Sequence, residues 1–146
     1  MRQLILLVVG MAMFACDTFE ETWEPGQTDL FANQSFTVAA GDSLVIGRIA
    51  FGGTGATRNH ELAGAFTSDG PTRLIILEQL EYVEFMSGRT FQTTWESGTT
   101  TSGSWDFTAE PNGYHFIVDN RGSANPVTVT ATITFRQEEL VSVRQL

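Results

Sequence analysis

The amino-acid sequence predicts an all-β protein: a single antiparallel β-sandwich of about eight short strands. Three observations carry that expectation. Residues 127–135, Val-Thr-Val-Thr-Ala-Thr-Ile-Thr-Phe, alternate strictly, with every odd position apolar and every even position Thr. Alternation sends one set of side chains to a core face and the other to the opposite face. The apolar runs are short and are punctuated by turn clusters such as Ala40-Gly41-Asp42, Ser68-Asp69-Gly70-Pro71, Pro111-Asn112-Gly113 and Asn120-Arg121-Gly122. After residue 16, no stretch shows a strong 3.6-residue period.

The individual strands follow from the same period. Ser35–Ala40 places Phe36 and Val38 on one side. Ser43–Phe51 sets Leu44 and Ile46 against Val45, Ile49 and Phe51. Leu62–Thr67 offers Leu62 and Phe66 with Gly64 between them. Thr72–Glu78 holds the run Leu74-Ile75-Ile76-Leu77, which reads as a buried central strand. Thr90–Glu96 aligns Phe91, Thr93 and Trp95. Ser104–Ala109 aligns Trp105, Phe107 and Ala109, and Gly113–Asp119 aligns Tyr114, Phe116 and Val118. Pro126 stands at the start of the last strand, where no ladder donor is needed. Glu78–Met86 has enough apolar residues for one helical turn, and its pattern does not decide the matter.

Charge and length narrow the functional classes. The chain has 146 residues, with 17 Asp+Glu against eight basic residues, all of them Arg, for a net charge of −9. Phosphate binding needs a cationic face, so nucleic acid is not an expected partner. Hydrophobic residues make up 42 % of the chain, enough for one core.

The amino terminus has its own logic. Met1-Arg2-Gln3 is followed by twelve uncharged residues, Leu4 to Ala15, and then by Cys16. A transmembrane helix takes about 20 apolar residues; the run fits the apolar segment of a secretory signal instead. Met13-Phe14-Ala15-Cys16 resembles a bacterial lipobox, although Met13 and Phe14 depart from the commoner residues. That resemblance implies cleavage before Cys16 and acylation of its thiol and amino terminus. Cys16 is also the only cysteine in the chain, so it has no disulfide partner within it. One acyl chain binds a membrane marginally, whereas two or three hold it stably.

The expected organisation is a signal peptide over residues 1–15, an acidic tether over 16–33, a sandwich domain over 34–136 and a tail over 137–146. The tether expectation rests on Asp17, Glu20, Glu21, Glu24 and Asp29 with no base among them. A flexible coil of that length spans about 20 Å. Trp23 within it either docks on the domain or sits at the lipid interface.

Residues 111–120, Pro-Asn-Gly-Tyr-His-Phe-Ile-Val-Asp-Asn, with Ser123 and Val127-Thr128-Val129, resemble the C-terminal half of emp24/GOLD-like sandwiches. Ala40-Gly41-Asp42, Gly64-x-Phe66 and Leu74–Leu77 fit the first half more loosely. The resemblance spans residues 34 to 136 and implies an eight-strand sandwich with a non-catalytic, interaction-type role. It does not extend to cargo reception, because the coiled coil and membrane helix of the eukaryotic proteins are missing. The likeness points to small bacterial envelope lipoproteins.

Catalytic signatures are sparse. His60 and His115 are the two histidines, without the spacing of a zinc motif. There is no Gly-x-Ser-x-Gly elbow. Gly52-Gly53-Thr54-Gly55 lacks the Lys-Ser/Thr of a phosphate loop. Asp69-Gly70 and Asp119-Asn120 lack calcium-loop spacing and read as turn residues. No catalytic residue, metal ligand or cofactor is therefore expected. The candidate binding residues are Trp95, Trp105 and His115. Core packing of the tryptophans is the favoured reading; an exposed aromatic platform for sugar stacking is the alternative. The expected role is a membrane-anchored envelope module, held through Cys16 acyl chains, that binds or scaffolds a protein partner. A glycan-binding module and a hydrolase with an unrecognised site are the alternatives.

Overall fold

The computed structural model describes residues 19–51 and 56–145. The expected signal peptide over residues 1–15, Cys16 and Gly52–Gly55 lie outside the described residues. The chain is all-β, as its alternation predicts. Among the described residues seven strands and one short helix follow in order: β1 (Phe19–Val38), β2 (Ser43–Ala50), β3 (Thr57–Glu78), α1 (Gln79–Met86), β4 (Trp95–Glu96), β5 (Thr100–Thr108), β6 (Gly113–Asp119) and β7 (Val127–Gln145).

All pairings are antiparallel, in the order β1-β7-β3-β6-β2, with β4 and β5 also paired to β3. Strand β3 is the hinge of this arrangement. Its residues from Glu61 to Thr67 lie between β7 and β5. From Arg73 to Glu78 it pairs with β6, and Ile75 and Ile76 also pair with β4. One strand thereby serves two layers, β1-β7-β3-β5 and β2-β6-β3-β4. The crossing falls at Ser68-Asp69-Gly70-Pro71, expected as a turn between separate strands. Ser68 Oγ donates to the Gly70 carbonyl at 2.7 Å, and Asp69 Oδ1 accepts the Thr128 amide at 2.7 Å. Pro71 needs no donor there. Two expected strands become one because the bend keeps extended geometry throughout.

The core lies between the layers. Leu62, Phe66, Val129, Ala131 and Ile133 from one meet Ile46, Leu74, Ile76, Phe116 and Val118 from the other. The odd positions of β7 point inward as expected: Val127, Val129, Ala131 and Ile133 are all buried. Its threonines form a hydroxyl ladder to β1. Thr130 bonds Ser35 at 2.8 Å, Thr132 accepts the Asn33 amide at 3.0 Å, and Thr134 donates to Asp29 at 2.9 Å.

That ladder corrects the expected tether and tail. From Phe19 onward the acidic segment is strand β1, paired residue by residue with β7 as far as Gln145. The sandwich therefore takes in residues 19–33 of the expected 16–33 tether and 137–145 of the expected 137–146 tail. The acids stay exposed along β1 while the backbone finds its partner about a hundred residues away, which no local composition reveals. Trp23 is resolved in favour of docking: the Arg58 guanidinium lies 4.2 Å over its ring, and its indole N–H donates to Glu21 at 3.1 Å. The expected strand Thr90–Glu96 shrinks to Trp95–Glu96, and the count among the described residues is seven rather than eight because Leu62–Thr67 and Thr72–Glu78 join in β3.

Candidate functional site

The strongest site on the surface is built by α1 on the outer face of the second layer. The run Leu74-Ile75-Ile76-Leu77 explains why a helix sits there. Leu74 and Ile76 face the inter-layer core, while Ile75 and Leu77 face outward with Ile117 of β6. Those outward side chains need a cover. Phe85 of α1 supplies it, with Tyr82 and Phe91 packed around it. Phe85 and Phe91 meet edge to face at 5.2 Å, and Arg121 stacks 4.5 Å over Phe85.

An eight-residue helix does not hold itself together in water. Here its ends are tied down. Ser87 Oγ and its amide both donate to the Val83 carbonyl, at 2.8 and 3.1 Å. Gly88 takes a left-handed φ of 69°, which ends the helix as an L residue rarely could. Arg89 pairs with Glu84 at 3.1 Å, and Glu81 accepts the Gln92 amide at 2.7 Å.

With Tyr82 and Phe85 turned inward, the outer side of the helix carries Leu80, Val83 and Met86. They are 77 %, 45 % and 62 % exposed. Positions three apart on a helix neighbour one another, so the three form a contiguous apolar stripe held on a fixed support. Exposed large apolar groups that cluster mark interaction surfaces more often than scattered ones do. The sequence signal was present in the i, i+3, i+6 spacing. It was masked because Tyr82 and Phe85 make the opposite side of the same helix apolar too.

The residues singled out from sequence fall elsewhere. His115 is 4 % exposed on β6 and lies beneath α1, stacked on Tyr82. Its Nδ1 has no hydrogen-bond partner among the described residues. Burial, reinforced by the nearby Arg48 charge, pushes its pKa below 6.5 and keeps it neutral. Trp105 is 4 % exposed and Trp95 half-buried; the two rings meet at 5.2 Å, and Trp105 reaches Phe116 at 6.1 Å. They belong to the inter-layer core, on the opposite side of β6 from His115. The three are not brought together, and Trp105, being buried, offers no open ring face.

Asp119 and Asn120 do structural work. Burial raises the Asp119 carboxyl, but hydrogen bonds from Arg121 and Arg73 outweigh it and hold the group below the usual carboxylate range. Arg73 reaches it at 2.9 Å and Arg121 at 2.8 Å. Asn120 is 2 % exposed and donates to the Ala39 and Asn125 carbonyls at 3.0 and 2.8 Å, joining two turns. His60 contacts Thr57 Oγ1 at 2.9 Å and packs on Phe51. Among the described residues, no three His, Cys, Asp or Glu side chains gather as a metal site would need.

No family model matches the chain. No curated protein matches it either. Among solved structures it is similar to a chain from Bacillus endospore appendages, described as a novel family of disulfide-linked pili. The two share 14 % identity over 97 % of this chain and 100 % of the other, with a TM-score of 0.44.

Proposed function

We propose that this protein is a lipid-anchored β-sandwich of a bacterial cell envelope that binds or scaffolds a protein partner without catalysis. The observation that carries the partner reading is the exposed Leu80-Val83-Met86 stripe on α1. The helix presents these side chains on a base fixed by Phe85, Tyr82 and the Ser87 cap. A partner covering them removes apolar area from water, at about 25 cal/mol per Å². The anchor reading comes from the lipobox-like Met13-Phe14-Ala15-Cys16, and the interaction-type role is what the resemblance of residues 111–120 to emp24/GOLD-like sandwiches implies.

The test is a photocrosslinking residue placed at Val83 in native cells, with Gln34 on β1 as the control position. A discrete adduct from position 83 and none from 34 is expected. Leu80→Glu should abolish that adduct while leaving the melting temperature unchanged. Equal, diffuse crosslinking from both positions would refute the partner surface.

A further inference from the structure

The far end of the β1/β7 pair, residues 19–24 with 139–145, is a two-sided ribbon. Antiparallel partners share a face, and Glu21 lies opposite Val143, Thr22 opposite Ser142 and Trp23 opposite Leu140, with a bulge at Val141. One face therefore holds Phe19 and Val143 with Glu21 beside them and, farther along, Leu140 and Trp23, the latter under Arg58; Val141 stands in the bulge. The other holds Glu20, Thr22, Ser142 and Arg144, all polar. This is the alternation of a half-buried strand pair. Yet Phe19, Val141 and Val143 are 60 %, 50 % and 54 % exposed. An isolated two-stranded ribbon is marginal in water.

Covalent geometry points to what covers that face. Phe19 follows Cys16 by three residues, a reach of at most about 11 Å. Acyl chains on Cys16 therefore hold Phe19 within the headgroup layer. We propose that the apolar face of the ribbon seats in the lipid surface beside the anchor, so that a paired ribbon, rather than a free coil, sets the height and orientation of the domain. This rests on the acylation of Cys16. Glu20, Glu21 and Glu24 outnumber Arg144 along the ribbon, so the contact is apolar and gains nothing from anionic lipid.

The experiment uses the full acylated protein in phosphatidylcholine vesicles. Nitroxides are attached at Val143→Cys and, on the polar face, at Ser142→Cys; the only native thiol, Cys16, is blocked by its lipid. The label at 143 should be accessible to oxygen and shielded from an aqueous nickel chelate, while the label at 142 stays open to the chelate. Both labels open to the chelate, on protein whose mass shows acylated Cys16, would overturn the seating and leave the anchor reading intact. A bare Cys16 would overturn both. Shielding at 143 with spin–spin broadening that grows with protein-to-lipid ratio would assign the face to a second copy of this chain and overturn the lipid assignment.

Discussion

Tyr82 lies flat on His115, with ring centroids 3.9 Å apart and planes within 4° of parallel. The contact joins α1 to the outer face of the second layer and places a titratable ring under the helix. Because burial and Arg48 lower the folded pKa of His115 below 6.5, the unfolded chain takes up a proton at higher pH than the native one. Its contribution is complete above pH 6.5 and is lost as pH falls from there through the folded value.

Thermal unfolding followed between pH 8 and pH 5 should therefore show falling stability. His115→Phe, which keeps an aromatic surface for Tyr82, should flatten that slope. Parallel curves for the two proteins would mean that His115 does not drive the loss.

The Gly64–Trp105 pair sets a second expectation. The two are register partners on β3 and β5, and the indole lies across the glycine. A Cβ at Gly64 would overlap Trp105 Cζ2 and come 2.5 Å from the Thr132 carbonyl oxygen. The neighbouring pair, Phe66 and Gly103, repeats the device in the opposite sense, with 2.8 Å between a Cβ at Gly103 and the Phe66 ring. Gly64→Ala should destabilise by about 1–3 kcal/mol in urea unfolding, the usual cost of overpacking. A neutral result would show that the strands have room to separate.

Asn120→Ala removes the donors that join the Ala39 and Asn125 carbonyls. Each of the two lost hydrogen bonds contributes about 0.5–1.5 kcal/mol, so the melting temperature should drop. Calorimetry showing no change would place water on both carbonyls.

Ile133 is 0 % exposed at the centre of the inter-layer core. Ile133→Asp buries a charge with no partner, which costs several kcal/mol or more. No cooperative unfolding transition is expected by circular dichroism. A variant that melts like the native protein would reverse the face assignment of β7.

The period of the sequence was enough for the class of fold and for most core positions. The odd residues of Val127–Phe135, the pair Leu62 and Phe66, and Tyr114, Phe116 and Val118 all point inward as their alternation requires. What escaped was non-local. Nothing near Glu20 or Glu21 announces a partner strand at Ser142–Arg144, because the pairing links opposite ends of the chain. Ser68–Pro71 carries every local mark of a turn and instead carries one strand from layer to layer. The α1 stripe was hidden by the apolar residues on both sides of the helix. Trp105 and His115, chosen for their chemistry, are packing residues in different places, Trp105 of β5 in the inter-layer core and His115 of β6 beneath α1.

The most direct test of the account is the intact mass of the protein purified from its native membrane. A chain beginning at Cys16, heavier than its amino-acid mass by two or three acyl groups, is the expected result. An unmodified thiol at Cys16 would contradict the anchored placement on which the proposed role depends.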